Sequence, residues 1–255
     1  MRINRKLKTT FNKVSRLYES ARPEYPKSIY SYIKKLSKLK KGEKILDVGC
    51  GSGQFTKFFI RNFNATGIDI GENFIKIAKN NNKAKFICTS FEKCKFPKES
   101  FDLITSAQAW HWIEPKTSLK KAHKLLKNQG HIAFIWYFTD DSSSVVKKAG
   151  KIFDKYQKKY KTYGNRSRLI QYSAETRKKL SSCGFFTNIE KNIYVKNEKF
   201  SLERYVAFIS TYGWVHNLPE EKRNKMIKEI RKVLQNEKQP FVIKFKYIML
   251  TAQKK

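Results

Sequence analysis

Ile45-Leu46-Asp47-Val48-Gly49-Cys50-Gly51-Ser52-Gly53 is an apolar run that ends in an acid and then alternates glycine through three positions. The run reads as a strand, and the glycines let the chain turn tightly and bring bare backbone up to a ligand. Gln54 to Phe63 reads as the helix that follows, its first N–H groups aimed at the same spot. Strand, loop and helix together describe a nucleotide-binding turn in an α/β fold. Glycines after a strand also make ordinary turns, so the spacing decides what the turn can bind. A dinucleotide fingerprint needs Gly or Ala five residues after its first glycine, where this chain has Gln54 counting from Gly49 and Thr56 counting from Gly51. A pyrophosphate is therefore not expected. A second strand, Ala65-Thr66-Gly67-Ile68-Asp69-Ile70, puts an acid 20 residues past Gly49, where a carboxylate can take both ribose hydroxyls. Asp47 beside the loop would repel a pyrophosphate and suits a cationic ligand.

The D-x-G-x-G-x-G loop followed by an acid at the second strand end resembles the class I S-adenosylmethionine-dependent methyltransferases. Upstream, Tyr18-Glu19-Ser20-Ala21-Arg22-Pro23-Glu24-Tyr25-Pro26 is similar to the Y-x-x-x-R-P-x-Y-P lead-in of the group that includes the trans-aconitate methyltransferases. Ala107-Gln108-Ala109-Trp110-His111-Trp112 and Leu125 to Ala133 agree with the same group, although Asn128-Gln129-Gly130 stands where that group has Pro-Gly-Gly. The resemblance covers about residues 14–138 and implies a doubly wound, mostly parallel seven-stranded sheet of the Rossmann-like methyltransferase type. It also implies S-adenosyl-L-methionine as cofactor. Tyr18 and Arg22 would then close the N-terminal segment over the cofactor, the guanidinium on its carboxylate and the phenol near its methionine moiety. The plain alternative is a packing tyrosine and a surface arginine ahead of a turn set by Pro23 and Pro26.

Strand and helix patterns alternate outward from the loop. Residues 28–39 carry a helical apolar stripe with Ser28 as N-cap, and a strand spans 43–48. Then come helix 54–63, strand 65–70, helix 72–80, strands 84–88 and 101–106, a helix over 116–127 started by Pro115, and strand 131–138. Beyond Thr139 the spacing predicts helices near 143–160 and 174–182, a polar turn at Gly164-Asn165, and a strand near 186–195. The tract Phe200 to Trp214 is helical and aromatic, 220–236 is a charged helix, and Phe241 to Ala252 is a closing edge strand. With no internal repeat or linker, the whole of 1–255 is one methyltransferase-type domain. Its N-terminal lid segment is 1–27, and an inserted helical cap spans about 140–218.

Ligands of doubly wound sheets lie beyond the carboxyl ends of the strands. That rule gathers Asp47, Gly49, Cys50, Gly51 and Gly53 from the first strand end, Asp69 and Ile70 from the second, Ser90 and Phe91 from the third, and Gln108 from the fourth. Ser90 and Phe91 are placed to meet the adenine, as the corresponding family positions do, with Phe91 equally readable as core. Trp110 and Trp112 can face a sulfonium through cation–π attraction and keep water out, and both also suit a core. Trp136 at the end of strand 131–138, with Tyr212 and Trp214 on the cap, completes the candidate acceptor pocket. His111 is the candidate catalytic residue, for proton transfer or for positioning alone. Methyl transfer to a carboxylate needs no base, so alignment carries most of the rate.

Other acceptors leave tags that are missing here. Ser106-Ala107-Gln108-Ala109 replaces the [DNS]-P-P-[YF] segment that serves exocyclic base amines, and no Cys closely follows the fourth or fifth strand for cytosine C5 chemistry. The net charge of +34 points towards nucleic acid, yet the 55 basic residues include only 11 arginines and are spread along the chain. A global compositional bias looks like this. The expected partner is a small, anionic methyl acceptor, with tRNA or another RNA as the alternative and a non-catalytic cofactor- or nucleic-acid-binding module as the third reading. Cys50, Cys88, Cys94 and Cys183 form no CxxC pair, so neither zinc nor a disulfide framework is expected. Absence of a long apolar run and of a secretory leader implies no membrane span and a cytoplasmic location.

Overall fold

The computed structural model describes residues 15–114, 117–157 and 166–255. The first part of the lid segment, Pro115 and the turn at Gly164-Asn165 lie outside the described residues. The described chain runs α1 (Ser15–Ala21), α2 (Lys27–Leu36), β1 (Lys44–Val48), β2 (Asn64–Asp69), α3 (Glu72–Asn81), β3 (Lys85–Cys88), β4 (Phe101–Ala107), α4 (Ser118–Leu125) and β5 (Leu126–Thr139). It continues through α5 (Ser144–Tyr156), α6 (Arg166–Ser182), β6 (Phe186–Phe200), α7 (Leu202–Ser210), α8 (Gly213–His216), α9 (Glu220–Leu234) and β7 (Phe241–Lys254).

Seven strands form one sheet in the order β3-β2-β1-β4-β5-β7-β6. β1 to β5 are mutually parallel, while β7 runs antiparallel to both β5 and β6. Alternation along each strand sends neighbouring residues to opposite faces, so Ile45 enters one core and Leu46 the other. The first core packs the sheet against α2, α5, α7 and α9, and the second against α4 and α6. Ile75 and Ala78 of α3 close a third, small cluster with Cys50 and Phe86.

Several expected elements differ. Gln54 to Phe63 is not an α-helix but a 3-10 turn at Thr56–Phe58 flanked by further turns, with Phe58 and Phe59 N–H donating to the carbonyls of Phe55 and Thr56. The Thr56 hydroxyl is drawn to Asp47, while Phe55, Phe59 and Phe63 enter the first core at the spacing a helix would also give, so the apolar pattern alone does not distinguish turns from a helix. α2 starts at Lys27 behind Pro26, so Ser28 is inside the helix and not its cap. β7 is not an edge strand: Phe245, Tyr247 and Met249 enter one core while Ile248, Leu250 and Ala252 enter the other. A strand apolar on both faces belongs inside a sheet, and the edge falls to β6.

The expected cap of 140–218 is also divided differently. Within it, α6 covers the second face of the sheet and β6 is a sheet strand. The cap over the first face consists of α5, α7, α8 and α9, the last lying outside the expected span, with α9 packed on both α5 and α7.

Candidate active site

The cleft lies where β1, β2, β3 and β4 end, and its floor is the glycine loop. Gly49, Gly51 and Gly53 have φ of +71°, +54° and +84°, a left-handed backbone that glycine adopts freely. A Cβ on Gly49 would lie 2.2 Å from the Cβ of Ala109, so the loop can lie against the β4 exit only because that atom is missing. The N–H groups of Gly49 and Cys50 both donate to the Ile68 carbonyl, at 2.8 and 3.0 Å, tying the loop to β2.

Two acids brace this floor. Parallel register puts Thr105 of β4 beside Asp47 of β1, and its hydroxyl donates to Asp47 Oδ1 at 2.9 Å while the Thr56 hydroxyl donates to Oδ2 at 2.6 Å. Asp47 is 1 % exposed, and burial pushes its pKa up to about 6 against the opposing pull of those two hydroxyls. Asp69 ends β2 and accepts the Gly51 N–H on Oδ2 at 3.0 Å and the Gly71 N–H on Oδ1 at 2.8 Å. Burial raises its pKa, and the amides of Gly71 and Gly51 oppose that. Each carboxylate oxygen has a second lone pair, so Asp69 can shape the loop and still accept from a ligand hydroxyl.

The cleft brings together most of the residues expected to hold the cofactor. Tyr18, Asp47, Gly49, Cys50, Gly51, Asp69, Ile70, Ser90, Phe91 and Gln108 line it, and Trp112 lines it from the acceptor set. Gln108 sits at φ +58° with its N–H on the Ile135 carbonyl and its amide nitrogen on the Tyr137 carbonyl at 2.6 Å. Those two bonds hold a non-glycine residue in the left-handed region, which costs on the order of 1 kcal/mol or more.

The remaining candidates do not line the cleft. Arg22 is 7 % exposed, donating from Nη1 to the Tyr137 hydroxyl at 3.2 Å and from Nη2 to the Thr211 carbonyl at 3.3 Å. Its guanidinium carbon lies 4.3 Å from the Tyr18 ring centre and 5.3 Å from that of Phe208, so it joins the N-terminal helix to the cap. Gly53 instead faces the segment that joins α3 to β3, where a Cβ would come 2.8 Å from Asn82 Nδ2 and 3.2 Å from the Phe86 ring. Trp110 turns into the second core and stacks on Phe134 with centroids 3.9 Å apart. Trp136 is completely buried there, on the same face of β5 as Phe134 and Phe138. Tyr212 and Trp214 pack against Phe153 of α5 in the first core.

His111 also lies off the cleft lining. Its ring stacks on Tyr172 with centroids 4.9 Å apart, and its Nδ1 accepts the Trp136 indole N–H at 3.2 Å. Burial pushes its pKa down to about 3. Sequence reasoning left out Tyr25, Gln54, Phe55, Phe74 and Ile113, all of which line the cleft. Tyr25 stood in the quoted lead-in motif. Phe74 carried no signal beyond its place on an apolar helix stripe, yet it meets the Tyr18 ring edge-on at 5.4 Å.

Comparison with known proteins agrees with this geometry. Residues 46–134 match the methyltransferase domain family, a span from β1 into β5 that includes all four strand ends of the cleft. The chain therefore carries a methyltransferase domain, and its relatives support S-adenosylmethionine-dependent methyltransferase activity. It is 25 % identical over 224 residues to an uncharacterized methyltransferase of Schizosaccharomyces pombe, covering 85 % of this chain and 84 % of the relative. It is 30 % identical over 193 residues to CRG1 of Saccharomyces cerevisiae, a candidate S-adenosylmethionine-dependent methyltransferase, covering 69 % of this chain and 65 % of the relative. The fold matches a candidate type II methyltransferase from Anaeromyxobacter dehalogenans with a TM-score of 0.61 at 17 % identity, covering 91 % of this chain and 97 % of that one.

Proposed function

We propose that the enzyme methylates a carboxylate oxygen of a small molecule. The single observation that carries this reading is the chemistry of the cleft wall: among the described lining residues there is no Lys, Arg or His, and the acids already accept bonds. Asp47 is held by two threonine hydroxyls, Asp69 by two amides, and Glu92 accepts the Glu114 N–H at 3.1 Å. An acceptor that is nucleophilic at neutral pH without a base fits such a wall, and a carboxylate is one, its charge met by the sulfonium of the bound cofactor in place of a protein cation. The N-terminal motif similar to the trans-aconitate group supports the same class.

The residues present fit the cofactor. The left-handed glycine loop offers bare backbone, Asp69 offers free lone pairs for ribose hydroxyls, and Ser90 and Phe91 flank the place for an adenine. When bound, S-adenosylmethionine supplies a methyl on a positive sulfur, which the acceptor oxygen takes while the bonding pair stays on sulfur. Asp47 and Asp69 make the floor negative, which favours a cationic ligand. Tyr18 and Phe74 form an aromatic wall that excludes water, and Gln108 and Trp112 mark the side from which an acceptor would be aligned.

RNA methylation is the second reading, and it rests on charge alone. Incubating the enzyme with methyl-labelled cofactor and panels of carboxylic acids, amines and transfer RNA separates the two. Transfer to one or more acids as a base-labile methyl ester is expected. Transfer confined to RNA or amines would reject the carboxylate reading while leaving the methyltransferase assignment intact.

A further inference from the structure

The three most exposed large apolar side chains among the described residues lie on one short piece of sheet. Ile193, Val195 and Val242 are 60, 55 and 53 % exposed, against 41 % for the next, Val233. Register explains their company. β6 pairs with β7 so that Ile193 faces Ile248, Val195 faces Lys246, Asn197 faces Lys244 and Lys199 faces Val242, and opposed residues of an antiparallel pair share a face. At one end of that face Ile248 and Leu250 are buried in the second core. Towards Lys199 and Val242 the same face is open.

The open part carries one sign of charge. Lys199, Lys244 and Lys246 lie on it and exposed Lys191 follows at the Leu250 end, with no Asp or Glu among the β6 and β7 residues of the face, and Asp140 at the rim pairs with Lys246 at 2.5 Å. Beside it, a groove against α6 is lined by Arg177, Lys178 and Lys191 with Ser173, Ser181 and Ser182. Lysines alone would be a common guard of an edge strand. A guarded edge has no need of three exposed aliphatic side chains, and their combination with lysines is the pattern of an interfacial surface.

We propose that this face of the β6–β7 ribbon docks on an anionic lipid surface, with Ile193, Val195 and Val242 entering the headgroup boundary and the lysines meeting lipid phosphates and carboxylates. Single-stranded nucleic acid is disfavoured because none of the described β6 and β7 residues on the open face is aromatic, leaving no ring there on which a base could stack. A second copy is disfavoured because apposition would bring the lysines of two chains of net charge +34 together. The proposal is independent of the acceptor.

Cosedimentation tests it, with vesicles of phosphatidylcholine alone and of phosphatidylcholine with phosphatidylserine at physiological salt. Binding to the anionic vesicles only is expected. Combined Ile193→Ser, Val195→Ser and Val242→Ser should weaken it by about tenfold or more, and Lys199→Gln with Lys244→Gln by roughly fivefold per lysine. The same substitution at Lys34 and Lys35 of α2 and Lys38 just beyond it, on the other face of the sheet, should matter much less. Cofactor affinity, read by calorimetry, should be unchanged throughout; if the serine variant loses it, the lysine variants decide. Five results would each overturn the proposal: no binding to anionic vesicles, equal loss from the control lysines, undiminished binding by the serine variant, a lipid-free dimer that the serine substitutions dissolve, or an RNA complex that they dissolve.

Discussion

At the scale of single residues, Asp47 makes the sharpest prediction. Its folded pKa, raised to about 6, lies above the ordinary carboxyl value near 4, so the fold prefers the neutral acid. Stability from this group is therefore intact below the ordinary value and declines as pH rises towards about 6. Cofactor binding should run the other way, because a cationic ligand favours the ionised form. Affinity for S-adenosylmethionine should fall by up to about tenfold for each pH unit below about 6, measured by calorimetry across that range. A flat profile would remove Asp47 from the cationic end of the ligand. Gly49→Ala tests the loop itself: the new Cβ would lie 2.2 Å from that of Ala109, at a φ that L residues rarely adopt. Loss of on the order of 1–3 kcal/mol of stability is expected, together with a larger loss of cofactor affinity. Tolerance of alanine would show that the loop can move away from β4.

At the scale of elements, α1 and the cap are held together through Arg22. Arg22→Met leaves the Tyr137 hydroxyl and the Thr211 carbonyl without their donor and removes the cation from the Tyr18 and Phe208 rings. It should cost about 2–4 kcal/mol. Tyr18 would then lose its place in the cleft, so cofactor affinity should drop and α1 amides should exchange hydrogen faster while β4 and β5 stay protected. Uniformly faster exchange would instead indicate global destabilisation. The same element shows what the sequence could and could not convey. The lead-in motif pointed to Tyr18 and Arg22 as a pair, but it could not show that only the phenol lines the cleft, because the guanidinium's partners lie 115 and 189 residues away. Local signals served well where the pattern was periodic, as at β1, β2 and α3. They failed at 54–63, where Phe55, Phe59 and Phe63 keep a helical spacing but the chain forms turns in which the Thr56 hydroxyl bonds to Asp47, nine residues back. They also failed for Trp110 and Trp136, since a tryptophan at a strand end reads the same whether its alternation points to a cleft or a core.

At the scale of the whole molecule, the sheet order alone places four strand ends around one cleft, and the N-terminal helix, backed by α7 of the cap, reaches into it through Tyr18. Closure of this kind should appear as protection: α1 and α7, which pack on each other, should exchange hydrogen more slowly once cofactor is bound. Protection confined to the glycine loop would mean that the two helices do not respond to the ligand. The charge of +34 acts at the same scale, and attraction to RNA that is merely compositional should be unselective and fade steeply as salt rises. Filter binding of transfer RNA at two salt concentrations reads this, and tight sequence-selective binding at physiological salt would favour the RNA substrate. The most direct test of the central claim is calorimetric titration of S-adenosylmethionine into the wild-type enzyme and into Asp69→Ala. Saturable one-to-one binding is predicted, weakened in the folded variant by about 1.5–3 kcal/mol, the scale of a charged hydrogen bond. Equal affinity of the two proteins would contradict the placement of the cofactor in this cleft.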